Sequence, residues 1–260
     1  MPSRMPFKDT LKDFLAEAGE LSYFAGRFFK EVIKPPYEFS EFIRQSYYIG
    51  YNSLPLVVIT GFIMGVVFTL QTRPTLEELG AVAWMPNMIG ISIIREIGPV
   101  LTALICAGKI GSGIGAELGS MRVTEQIEAM EVSGTNPFKY LVVTRILAAT
   151  FTLPLLVVLG DTVSVYGSFL VENMKGAVSF QLYFNKMFEA LDFGDLVPAT
   201  VKSFFFGFAI GLVGCFKGYN SDKGTEGVGR AANSAVVIAS LMLFLIDFLA
   251  VLVSQIFYDL

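Results

Sequence analysis

From Gln45 to Thr72 the chain runs for 28 residues without a charged side chain, and no other feature restricts the fold as much. In hydrocarbon a chain must satisfy its own backbone hydrogen bonds, which a helix does alone, and about 20 apolar residues suffice to cross. The run therefore predicts a membrane-spanning helix at about 52–71. Four further apolar stretches predict spans at about 86–108, 141–171, 196–217 and 233–257. Pro99 and Pro154 fall inside spans and are expected to kink rather than end them. Only 16 % of the residues are charged and 53 % are hydrophobic, whereas soluble domains carry charge on nearer a quarter. The expected fold class is an all-α integral membrane protein. An odd number of spans argues against two equal inverted halves.

Ahead of the spans, Phe7, Leu11, Phe14, Leu21, Phe24, Phe28 and Val32 recur at helical steps with charges between them. This is an amphipathic helix, stopped by Pro35-Pro36. It fits either the membrane surface or packing onto the protein's own core. The chain thus divides into an interfacial region, 1–44, and a five-span domain, 45–260. No secretory signal is expected, because the first long apolar run begins only after Arg44. Of the 19 Lys and Arg residues, Arg95 and Lys202 lie inside spans and only Arg73, Lys175 and Lys186 lie on the side opposite the N-terminus. The other fourteen share the N-terminal side, which the positive-inside rule makes cytoplasmic; five spans then leave the C-terminus outside. The outer segment 172–195 has room for a short surface helix. A net charge of −4 leaves no basic footprint for nucleic acid.

Catalytic chemistry is hard to find. There is no histidine, and Cys106 and Cys215 sit in apolar runs as buried small residues. No Gly-x-x-x-x-Gly-Lys-Ser/Thr frame cradles a nucleotide phosphate, and no metal-spaced carboxylates occur. Gly111–Ala116 matches a dinucleotide fingerprint on paper, but no strand precedes it. Ala107, Gly111, Gly115 and Gly119 instead form a four-residue ladder with Gly108 beside it, a spacing that lets helices approach closely in a membrane.

Between the second and third spans, Thr124 reads as a helix N-cap and Glu125 with Gln126 as a first turn. Glu125, Glu128 and Glu131 are spaced by three, and Gly134 with Asn136-Pro137 ends the segment. A short acidic helix at about 124–133 follows, either a solvated connector or an element docked in a partner's groove.

Charges inside the spans are Arg95, Glu96, Asp161, Lys202 and Asp247. Facing lipid at mid-bilayer, each costs at least about 2.5 kcal/mol, so all are expected to turn inward and find partners. Counted from the outer ends of their spans they share one layer, roughly 9–15 Å deep at 1.5 Å per residue. The layer suggests a cluster containing Arg95–Glu96 and Lys202–Asp247, serving either as ion pairs that lock the bundle or as a polar gate beneath a cavity.

The run Arg95-Glu96-Ile97-Gly98-Pro99-Val100-Leu101-Thr102-Ala103-Leu104, then Ala107-Gly108-Lys109-Ile110-Gly111-Ser112, then 116–130, closely resembles the MlaE/YrbE permease family. The match extends from about Tyr47 to the end, with Phe151–Leu156 and Gly218-Tyr219 as further points of agreement. The resemblance implies the membrane subunit of an ABC transporter moving phospholipids between the two membranes of diderm bacteria. It implies a homodimer in the inner membrane, with ABC ATPase subunits on the cytoplasmic side and a ring of MCE-domain proteins on the other. ATP and magnesium would belong to the ATPase, with no cofactor or catalytic residue on this chain. It implies that Thr124, Glu125, Gln126, Glu128 and Glu131 form a coupling helix against that ATPase. Arg95, Glu96, Lys202 and Asp247 match charged positions of the family, with Gln71 and Asp161 as further cavity or gating residues. Lys109 stands where the family pattern has arginine, and Arg73-Pro74 with Glu77-Glu78 makes the first outer loop unusually charged. Rival readings are a permease for a sterol or other apolar lipid, and a proton-coupled transporter relaying through Asp161, Asp247 or Glu96.

Overall fold

The computed structural model describes residues 6–176, 178–222 and 224–258. Arg4 and Lys223, counted above, lie outside the described residues, as do the side chains of Phe7, Leu11 and Phe14. Among the described residues every regular element is helical. Five helical stretches are long and apolar enough to cross a bilayer, and the protein is a multi-pass membrane protein.

Helix α1 (Pro6–Val32) ends before the proline pair as its sequence demands. Phe24 and Phe28 are buried in the main core, and Phe24 meets Phe138 and Phe216 at ring separations of 5.0 and 5.5 Å. The Arg27 guanidinium lies 4.0 Å over Phe138, a cation–π contact. Tyr23, Phe29 and Ile33 remain exposed on the other side. One stripe of α1 therefore docks on the bundle while the other stays exposed.

The first span, α2 (Phe39–Glu78), has 40 residues, twice the expected core. Uncharged polar residues at its start (Gln45, Asn52, Ser53) do not end a helix, and neither do the charges at its far end. Arg73, expected in a loop, is helical and buried, with Nε 2.6 Å from Glu77 and Nη1 2.8 Å from Glu172.

The second stretch, Val82–Val123, is broken in its hydrogen-bond register. It comprises a 3₁₀ turn, α3 (Met85–Ser92), a π turn Ile93–Ile97, α4 (Gly98–Cys106), a π turn Ala107–Gly111 and α5 (Ser112–Val123). Pro99 follows the first π turn directly. A proline ring clashes with the carbonyl four residues back and cannot donate its own bond, and the wider turn at Ile93–Ile97 accommodates both defects.

The short α6 (Gln126–Val132) leads through a π turn, Phe138–Val143, into α7 (Thr144–Gly176). The short helix α8 (Phe180–Ala190) precedes α9 (Phe193–Tyr219) and α10 (Thr225–Tyr258). Helix α8 occupies the expected outer segment, capped by Ser179 accepting from the Leu182 N–H at 3.3 Å. Its Tyr183 hydroxyl lies 2.7 Å from Ser168 Oγ, which lies 2.6 Å from the Thr69 hydroxyl, so one hydroxyl chain joins α2, α7 and α8. Burial pushes the Tyr183 phenol up to about 12, keeping that chain neutral.

Helix α7 is the hub. Glycines let α2 and α9 approach its backbone. A Cβ on Gly65 would collide with the Ser164 carbonyl, and one on Gly207 would lie 2.8 Å from Thr150 Cα. The ladder of the second span works on the other side. Gly115 meets the backbone of Ala231 and Ala232 at 3.3 Å, Gly119 approaches Val228, and Gly111 faces Ile210. Gly108 faces open space and takes no part in this packing.

Candidate transport site

The charged layer is built around one lysine. Lys202, on α9 and 4 % exposed, donates to Glu96 Oε2 at 2.7 Å and to Asp247 Oδ1 at 3.0 Å. One cation thereby ties the second span, α9 and α10 together, and two carboxylates offset the cost of burying the ammonium. Arg95 turns away from Glu96, its Nη1 3.4 Å from Asp195 Oδ1 at the start of α9. Adjacent positions on a helix do not face each other, so Arg95 and Glu96, neighbours in the π turn, reach different partners. Asp195 also closes the capping box of α9 with Asp192. A small cleft beside the cluster is lined by Arg95, Glu96, Asp195, Lys202 and Ser254.

Asp161 does not join these pairs. Its Oδ1 is buried without a hydrogen-bond partner, and it packs on Gly98, where a Cβ would overlap the carboxyl.

Beside the second span α2 leans on α7, and the seam between α2 and the second span stays open. A groove of about 370 Å³ runs there, walled by Ile63, Met64 and Val67 of α2 and by Ile97, Leu101 and Ile105 opposite. Thr60, Thr102 and Ser164 also line it, but Thr60 and Ser164 spend their hydroxyls on helix carbonyls. Gln71 is exposed one turn beyond Val67 on the same stripe and does not line the groove.

At the opposite end of the bundle, α6 starts one residue later than expected. The Thr124 hydroxyl donates back to Ser120 O at 2.9 Å, which satisfies it within α5 and makes Thr124 a C-cap rather than an N-cap. The chain turns at Glu125, whose φ of 57° is left-handed, a conformation uncommon outside glycine. Ile127 anchors α6 in the core, and Met130 packs against it. Glu128 pairs with Arg122 at 2.7 Å, while Glu125, Gln126, Glu131 and Val132 are exposed. Arg145, which counts in the sequence as a surface cation, is 1 % exposed and bonds Glu117 Oε1 at 2.7 Å and Leu141 O at 3.0 Å. The two residues are 28 positions apart on different helices, so no local pattern announces the pair.

These elements make a membrane transport subunit. The family described as Permease MlaE matches residues 42–253. A probable ABC transporter permease protein of Rickettsia prowazekii is 40 % identical over 242 residues, 93 % of each chain. One from Synechocystis is 31 % identical over 226 residues, covering 87 % of this chain and 86 % of that one. The chloroplastic protein trigalactosyldiacylglycerol 1 of Arabidopsis thaliana is 31 % identical over 224 residues, 86 % of this chain and 64 % of its own. The chain belongs to the MlaE permease family and is a permease subunit of the ABC transporter type, which implies an ATPase partner.

Proposed function

We propose that the chain moves phospholipids between a bacterial inner membrane and the periplasm or outer membrane. Two copies work side by side, the N-terminus of each in the cytoplasm and the C-terminus in the periplasm. A separate ATPase binds and hydrolyses ATP against α6, and a ring of MCE-domain protein continues the path outside. The observation that carries the reading is the apolar groove between α2 and the second span, whose lining residues Ile93 and Ile97 flank Glu96 of the Lys202 cluster. Exposing an acyl chain to water costs about 0.8 kcal/mol per CH₂, so a lipid path must present apolar walls throughout. The ion cluster offers charge to a head group where the walls end. The chloroplast relative that bears a glycolipid's name supports a lipid cargo.

The test is purification from the native host in mild detergent, followed by mass spectrometry of what accompanies the chain. An ABC ATPase, an MCE-domain protein and bound phospholipid are the expected companions. A chain that emerges alone, free of lipid and monomeric would overturn the reading. Glu128→Lys, which breaks the pair with Arg122 and cancels the negative charge of α6, is expected to lose the ATPase while the chain still inserts.

A further inference from the structure

The α2 seam opens a second time, nearer the end that carries α6. There a cavity of about 160 Å³ is lined by Gln45, Asn52 and Ser53 of α2 and by Lys109, Gly113 and Glu117 across from them, with isoleucines between. Its character differs from the apolar groove. Ser53, a lining residue, is 2 % exposed, and its buried Oγ has no hydrogen-bond partner. Thr60 and Thr69 on the same helix give their hydroxyls to carbonyls four residues back, the usual outlet for such groups. Lys109 sits in the π turn Ala107–Gly111, exposed and with no ion-pair partner among the described residues. The one carboxylate at the rim, Glu117, is neutralised by Arg145 at 2.7 Å. Gln45 donates its amide to Glu41 at 2.8 Å, which leaves the amide oxygen for the cavity.

The cavity thus offers an uncommitted cation, an uncommitted buried hydroxyl and an amide, with no net negative charge. That set suits a phosphate oxygen. Distance adds the second argument. From Ser53 the apolar groove begins at Thr60 and ends at Val67, roughly 10–21 Å along the helix at 1.5 Å per residue. One leaflet is about 15 Å thick, half of a hydrocarbon core of about 30 Å.

The geometry points to a phospholipid from the leaflet on the α6 side, its phosphate held by Lys109, Ser53 and Asn52 and its acyl chains laid along the seam into the apolar groove. This rests on the reading of the chain as a lipid permease and adds a head-group site remote from the Lys202 cluster.

The full chain is reconstituted in vesicles of phosphatidylglycerol and phosphatidylethanolamine, with the photo-crosslinking residue benzoylphenylalanine placed at Gly113 or, separately, at Val67. A Cβ at Gly113 meets nothing within 4 Å, so the probe fits. Phospholipid adducts are expected at both positions. Those at Gly113 should fall about tenfold in Lys109→Gln, the loss of one charge-assisted hydrogen bond, and persist in Lys109→Arg. Excess inorganic phosphate should leave them unchanged. Lipid adducts at Val67 with none at Gly113 would overturn this site and leave the permease reading intact; none at either position would overturn both. Gly113 adducts that ignore Lys109→Gln, that vanish with inorganic phosphate, or that join a second copy of the chain would each overturn the head-group site.

Discussion

Helices α7 and α10 have nearly the same length, and α10 is the more apolar, yet they live in opposite surroundings. Across its most apolar window α7 with its π turn is 72 % buried inside the chain, against 11 % for α10. In water that ranking would be inverted. In a bilayer the outward face of a span meets hydrocarbon, so Leu241, Phe244, Leu245, Phe248 and Leu249 can all face outward at no cost. The inner stripe of α10 is instead small, with Ala231, Ala235 and Ala239 fully packed. Helix α7 carries the polar and glycine-facing surfaces that hold the bundle. Hydropathy therefore locates spans, while small residues and buried polar groups locate the core.

The largest test of that contrast is Gly65→Leu. Its side chain would run into the Ser164 backbone, and overpacking against backbone is expected to cost at least about 3 kcal/mol, seen as loss of folded protein on size-exclusion. Gly108→Leu, facing open space, serves as the matched control and should fold normally. A tolerated Gly65→Leu would remove α7 from the centre of the argument. Next comes Glu117→Ala, which strands the buried Arg145. The expected loss is about 2 kcal/mol, below the range for fully buried pairs because Glu117 is half-exposed, and thermal unfolding in detergent would report it. Lys202→Ala and Asp247→Ala should each abolish lipid transport in vesicles. In unfolding, the double mutant should cost about 1 kcal/mol less than the sum of the single changes; strict additivity would mean that α9 and α10 are not joined there. The smallest effect belongs to Phe248→Ala, expected within about 0.5 kcal/mol for the solubilised single chain. A drop as large as that of Glu117→Ala would show that the outer face of α10 is packed after all.

The five spans, the amphipathic first helix, the acidic α6 and the Lys202–Asp247 pair are all legible in the residues, because a 20-residue apolar run and an intramembrane charge leave a chain few choices. Other features depend on the third dimension. The first span outruns its apolar core at both ends because Arg73 finds Glu172, some hundred residues away, and stays helical. Arg95 meets Asp195, a hundred residues away, rather than its neighbour Glu96, because adjacent helix positions do not face each other. Arg145 looks like an ordinary surface cation until Glu117 is brought opposite it. Thr124 carries the chemistry of an N-cap, but its hydroxyl is satisfied one turn earlier, and the break passes to Glu125.

At roughly 1.5 Å per residue, the 40 residues of α2 make a rod of about 60 Å, longer than the 40–45 Å of a whole bilayer. It is fastened at one end where Glu41 accepts from Tyr140 at 3.2 Å, and at the other where Arg73 grips Glu172. Both the apolar groove and the polar cavity open along its flank. Pro55 falls between the two chambers, and a proline inside a helix removes a backbone bond and makes a kink, so the rod is jointed at the place where one chamber gives way to the other.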